Sequence, residues 1–410
     1  MVLVSIAAGF IVAVAASGAG DLSPAAQPWE PIRVLSSVHR IDFPNEVVFF
    51  LEAEADAQIT EVSLFYRLGR QKVRIYGYPS FTPSTRVSAD FRVKTGGASY
   101  LPSGVDIEYH YVIRDADGNT LETDNLYLEY IDPSYDWRRF SQGDLTILWH
   151  DLPRDRVVAV AAEVAPRLDE VRGLLGLESV GSMKAVIFNS RREGGRGFPL
   201  ISDAANSGHI YGGFAFGYLD VFVLVGLDRD GIVHEMTHLL LDEALDSPLA
   251  SVPAWLNEGL AMYFEVGSRT REETVAQAVR ADRLLSVRSM GNVPGSPQDV
   301  RLFYAQAQSL VRYIMDVHGP EPMAALLGAL NRGLRIDEAV SEAYGMSLEE
   351  LEGEWLADFV PGVTLAPLVD PGTFGTSLII AAAVAVTAVA VLIRWLRRSA
   401  YPPEPEDAEL

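Results

Sequence analysis

Strict alternation of apolar and polar residues marks the first third of the chain. Ile107, Tyr109, Tyr111 and Ile113 face one way, with Glu108, His110 and Arg114 among the residues facing the other. That period of two is the pattern of a half-buried strand. The same reading places strands at Val47–Glu54, Glu61–Arg67, Lys72–Tyr76, Arg86–Val93, Ile107–Asp115 and Leu121–Glu129, with Arg33–Val38 as a seventh. Asp115-Ala116-Asp117-Gly118-Asn119 supplies a hairpin turn into the last of them. Short strands at this density predict an all-β immunoglobulin- or fibronectin-like sandwich over residues 32–131. His39 and His110 fall in this region and read as structural or surface residues.

After Pro133–Gly143, which reads as a linker, the pattern becomes mixed. A strand is expected at Leu145–His150, a helix from Asp155 to Leu175, and a strand at Lys184–Phe188. Gly194-Gly195-Arg196-Gly197 then opens a basic loop, and Ile210–Phe214 with Val221–Val225 makes a hairpin. Apolar spacing of three and four residues follows, predicting helices at Glu272–Val287, Val300–Val317, Glu321–Asn331, Ile336–Tyr344 and Ser347–Val360. Residues 144–362 are therefore expected to form one α+β domain.

Both ends are apolar. Residues 1–20 carry no charge and end in small residues, as in a signal peptide or an N-terminal anchor. Residues 374–396 contain a nearly continuous run of Ala, Val, Ile and Leu, long enough to cross a hydrocarbon core of ~30 Å. Arg394, Trp395, Arg397 and Arg398 close that run in the manner of a cytoplasmic membrane boundary. The expectation is one C-terminal transmembrane helix contacting the lipid bilayer, a cytoplasmic tail at 397–410, and the rest of the chain outside. The net charge of −22 argues against a nucleic-acid partner, since no basic stripe offsets it.

Chemistry concentrates in His234-Glu235-Met236-Thr237-His238, set among the apolar residues Ile232, Val233, Leu239, Leu240 and Leu241. On a helix, positions i and i+4 share a face, so both imidazoles can point at one metal ion. Glu235 lies on a neighbouring edge of that face, within reach of a water at the metal. A second apolar helix, Trp255-Leu256-Asn257-Glu258-Gly259-Leu260-Ala261, brings an acid twenty residues after His238, and Glu258 is the natural third ligand. The chain has no cysteine, so only histidine and carboxylate ligands are available. Three protein ligands with an open fourth position predict a catalytic site holding one zinc ion per chain. The bland alternative is a buried helix with two hydrogen-bonded histidines.

The His-Glu-x-x-His helix, its distance to Glu258 and the Trp-Leu-Asn-Glu-Gly-Leu-Ala helix resemble the gluzincins, the group containing thermolysin and the aminopeptidase N-like enzymes. More narrowly they resemble the MA-like peptidase domains of secreted bacterial proteins. The resemblance covers roughly residues 144–360 and implies a zincin-like fold acting on a peptide or protein substrate. Zinc would draw the pKa of a water towards ~7 and polarise the scissile carbonyl. Glu235 would take the water proton and return it to the leaving amine. The cleft-edge strand would pair with extended substrate through its backbone. Tyr304, within Phe303-Tyr304-Ala305-Gln306, is either a packing residue or the group that polarises the carbonyl. Asp242, one turn beyond His238, is a candidate to orient a ligand imidazole.

Two departures matter. Thermolysin-like enzymes carry an acid four residues after the third ligand, where this chain has Met262. Aminopeptidase N-like enzymes hold the free amino terminus with a glutamate on the cleft-edge strand, whereas Gly212-Gly213-Phe214-Ala215-Phe216-Gly217 has no acid. An endopeptidase is the expectation. The competing readings are a catalytically inactive zincin-fold adhesion or sensor ectodomain and a non-peptidase zinc hydrolase. The intact Glu235, which zinc binding does not require, favours the enzyme.

Overall fold

The computed structural model describes residues 30–199, 212–265 and 271–359. The expected leader at 1–20, membrane helix at 374–396 and tail at 397–410 lie outside them. No helix among the described residues is long and apolar enough to cross a membrane.

The alternation in the first third produces one continuous antiparallel sheet folded over into two layers. Its centre is β2 (Glu46–Leu68), 23 residues long where the sequence pattern gives two strands. The first half of β2 pairs β1 (Ile32–Asp42) and β4 (Ser84–Lys94). Its second half pairs β3 (Ile75–Gly77) and β5 (Val105–Asp115), and β5 carries β6 (Thr120–Glu122) and β7 (Leu126–Tyr130). Register breaks between Glu54 and Ile59 and again between Ile59 and Glu61. Such irregularities bend a strand, and here they carry it from one layer into the other. Phe49 from the first half then meets Tyr109 of β5 at 4.8 Å between ring centroids. The packing is sandwich-like, but a through-going strand replaces the separate sheets of the immunoglobulin plan. The single strand expected at Leu121–Glu129 is split, because the Thr123 hydroxyl accepts the Tyr111 N–H in place of a backbone carbonyl.

A five-stranded mixed sheet follows. Its order is β11 (Gly213–Phe216), β12 (Val221–Val225), β10 (Met183–Phe188), β9 (Leu145–Trp149) and β8 (Arg138–Gln142). Strand β8 occupies the latter part of the stretch expected as a linker, pairing antiparallel with β9. Alternate residues of this sheet serve two cores. Ile147, Trp149, Ala185, Ile187, Phe222 and Leu224 face the helices. Leu148, Val186, Phe188, Val221 and Val223 join the core of the N-terminal layers. Polar clamps reinforce that junction: Lys184 lies 2.6 Å from both Asp106 and Glu129, and Arg70 pairs with Asp220.

The helices are α1 (Arg154–Leu175), α2 (Arg191–Gly197), α3 (Arg229–Ala244), α4 (Ala254–Phe264), α5 (Glu272–Arg280), α6 (Pro297–Val317), α7 (Pro320–Asn331), α8 (Ile336–Tyr344) and α9 (Leu348–Ala357). The basic loop expected at Gly194–Gly197 is part of α2. Ser190 starts that helix by accepting the Glu193 N–H, and Glu193 reaches back to the Asn189 N–H, a capping arrangement that outweighs its glycines. Helix α5 stops at Arg280, short of the expected Val287, and Asp282 follows in the left-handed region at φ 52°. Helix α4 packs closely on α6 because Gly259 lies at the crossing. A Cβ there would come within 2.6 Å of the Ala307 carbonyl oxygen.

Candidate metal centre

Helix α3 begins where Asp228 accepts the Gly231 N–H at 2.8 Å, and its buried Ile232, Val233, Met236, Leu239 and Leu240 seat it in the core. That seating turns His234 and His238 toward α4. Their rings lie 4.8 Å apart and nearly perpendicular. Helix α4 is held by Trp255, Leu256 and Leu260, all essentially buried, and presents Glu258 to the same point. Glu258 Oε2 is 3.4 Å from His234 Nε2 and 3.8 Å from His238 Nε2. One ligand atom from each of the three residues falls within 4.8 Å of the others.

These separations fit a divalent cation. Tetrahedral ligands at ~2.0–2.2 Å from zinc stand roughly 3.3–3.5 Å from one another. Both Nδ1 atoms are already committed: His234 Nδ1 donates to Glu265 Oε1 at 2.8 Å, and His238 Nδ1 donates to Asn257 Oδ1 at 2.9 Å. Those bonds select the tautomer that leaves each Nε2 free as a ligand. Charge points the same way. Glu235, Glu258 and Glu265 crowd around two imidazoles, and burying three carboxylates together is unfavourable without a compensating cation.

Protonation follows from the same crowding. Burial opposes the charged form of His234, but its bonds to Glu258 and Glu265 override that and raise it to about 10. Burial pushes His238 down, with the neighbouring His234 adding to the effect. Glu258 is opposed by burial yet held below the usual carboxylate range by the two histidines. Burial lifts the Glu235 carboxyl to about 7, against the opposing pull of His234. A bound cation would favour neutral imidazoles and ionised carboxylates throughout.

Glu235 sits against the edge strand β11. A Cβ on Gly213 would come within 2.8 Å of Glu235 Oε1, so glycine is what allows strand and carboxylate to lie this close. Both residues line a cavity of about 1110 Å³, together with His234, Glu265 and Tyr304. Tyr304 is half-buried and packs on the core while also facing this cavity.

Sequence reasoning missed the imidazole partners. Asp242 does not support a histidine; its carboxylate accepts the Gly217 N–H, at the turn between β11 and β12. Glu265 does, from the residue immediately after the end of α4, seven positions beyond Glu258. Asn257, adjacent to Glu258, serves the other ring. Replacing Asn257 with Leu should weaken zinc binding by about 10–100-fold, because the His238 tautomer is no longer fixed. Competition against a chelating dye reads this directly.

Residues 207–361 match the model of the Peptidase MA superfamily. Among solved structures, an M1 zinc metallopeptidase from Deinococcus radiodurans is 11% identical, with a TM-score of 0.37. The match covers 80% of this chain and 92% of that one. An aminopeptidase N family protein from Idiomarina loihiensis is 9% identical at a TM-score of 0.36, covering 76% of this chain and 74% of that one. Likenesses at these scores carry no conclusion about fold or activity. No curated protein matches the chain significantly.

Proposed function

We propose, from the premise that residues 207–361 are a gluzincin-type, MA-like peptidase domain, that the chain is a zinc-dependent endopeptidase anchored in a membrane with its catalytic part outside the cytoplasm. The observation that carries this reading is the convergence of His234, His238 and Glu258 beside a buried Glu235 that opens onto a large cavity. Zinc, when bound, would supply acidity to a water and polarise the substrate carbonyl.

The chain's own residues do the rest. Glu235 accepts the proton during attack and delivers it to the leaving amine. Glu265 and Asn257 hold the two imidazoles in register. Strand β11, an edge of its sheet among the described residues, offers backbone groups to an extended peptide. Tyr304 faces the cavity from α6, where its hydroxyl would polarise the carbonyl. The cavity exceeds the ~300–1,000 Å³ usual for small-molecule sites, which suits several residues of a peptide.

Cutting within chains is supported by the lack of an acid along Gly213–Phe216 to hold a free amine. Digestion of a denatured-protein library, with new termini sequenced by mass spectrometry, tests it. Internal cuts are expected; stepwise loss of single N-terminal residues would make the enzyme an aminopeptidase. Anchoring is supported by the apolar run and its arginines at 374–398. Deleting Pro371–Leu410 should move the protein from the membrane to the soluble fraction. A truncated protein that stays in the membrane would place an anchor at residues 1–20.

A further inference from the structure

Part of the cavity lining comes from α5, its flanking residues and the start of α6, and there three arginines outnumber the single acid Asp299. Arg271 precedes α5, Arg283 follows it, and Arg301 lies in the first turns of α6; all three line the cavity. Among the described residues, the guanidinium groups of Arg283 and Arg301 have no hydrogen-bond or ion-pair partner. Elsewhere in the helical layer Arg288 pairs with Asp337 and Glu349, Arg312 with Glu272, and Arg332 with Glu342, while Arg280 on α5 is also without a partner among the described residues but does not line the cavity. In a chain with 55 acidic and 33 basic residues, partners for two more arginines are easily supplied, yet these two line the cavity with none among the described residues.

Apart from Glu235, whose role is set out above, the acids lining the same cavity are already engaged. Asp228 caps α3, Asp230 pairs with Arg229, Asp299 accepts from the Ser296 hydroxyl, and Glu265 holds His234. What the cavity leaves available is positive charge, on the segment just after α5 and on the first turns of α6. Guanidinium groups match carboxylates in shape and charge, and their bonds strengthen where water is partly excluded.

The geometry points to a carboxylate-binding subsite of the substrate cleft, formed by Arg283 and Arg301 with Arg271 beside them. Resting on the peptidase reading above, this makes the substrates peptides that present a carboxylate near the cut bond. That group is either an acidic side chain or a free C-terminus.

The test uses full-length, zinc-loaded protein in detergent and fluorescent octapeptides. The set compares Glu with the neutral isostere Gln at each position, with the C-terminus free or amidated. Binding is read by anisotropy on the Glu235→Gln variant, and hydrolysis by kcat/KM on the wild type. A preference for the carboxylate of about tenfold is expected in both readouts. Preference for Glu in amidated peptides assigns the side chain, and preference for free ends assigns the terminus. In the double variant Arg283→Gln with Arg301→Gln, the preference should fall below about twofold, while zinc content, melting temperature and hydrolysis of the all-Gln amidated peptide stay unchanged. Arg271 is left intact because it contacts Met262 and acts on Glu258.

Equal binding of charged and neutral peptides, no binding of any peptide, or a preference that survives in the double variant overturns the subsite. Selective binding without any hydrolysis by the wild type keeps the subsite and removes the peptidase reading. Hydrolysis without selectivity does the reverse.

Discussion

Glu235→Gln should lower peptide hydrolysis by ~10²–10⁴-fold while zinc content and melting temperature stay at wild-type values. Glutamine keeps the volume and one carbonyl oxygen but takes no proton at neutral pH. The side chain is only 8% exposed and lines the cavity beside His234, where a carboxylate can take the proton of an attacking water. It is not one of the three converging side chains, so the amide of equal size leaves the ligand set intact. The expected signature is therefore a fall in kcat with an unchanged fold. Equal activity in the two proteins would remove Glu235 from the mechanism. Absence of activity in both, with zinc confirmed and a broad substrate library, would favour an inactive scaffold.

His238→Ala should abolish stoichiometric zinc. The substitution removes one of three ligand atoms gathered within 4.8 Å, and two remaining ligands make a weak site. It also leaves the Asn257 amide oxygen without its donor in a partly buried position, at a cost of about 1–3 kcal/mol. Zinc should stabilise the wild type by about 2.7 kcal/mol at a hundredfold excess over Kd, and the variant by almost nothing. Thermal melts with and without zinc separate the two effects, since the lost hydrogen bond lowers the baseline and the lost ligand removes the zinc-dependent rise. A full equivalent of zinc retained by a variant lacking both His234 and His238 would place the metal elsewhere.

The metal cluster was legible because its geometry is local. Two histidines four apart must share a helix face, and the apolar residues around them dictate which way that face turns. Glu258 needed only a second helix returning to the first. The imidazole partners were less visible because one of them, Glu265, lies just past the end of α4, outside the helical spacing that points to Met262. Asp242 satisfied the same sequence rule, but α3 presents it to the turn at Gly217.

In the N-terminal region strand positions were readable and topology was not. Alternation marks where a strand is half-buried, but it does not distinguish a turn from a bulge. The break between Glu54 and Ile59 therefore read as the end of one strand and the start of another. Helix α2 was hidden by its glycines, whose poor helix propensity is offset by the Ser190 and Glu193 caps. The basic wall at Arg283 and Arg301 has no sequence motif at all. It arises from the fold of α5 against α6, with each arginine an ordinary surface residue in the linear chain.

The central claim is that one zinc, held by His234, His238 and Glu258, makes this chain a peptidase. Zinc titration of chelator-stripped, full-length protein tests it most directly, with hydrolysis of a denatured protein as the readout. The account predicts no cleavage without metal and a linear rise that saturates at one zinc per chain. Undiminished cleavage by the stripped protein would contradict it.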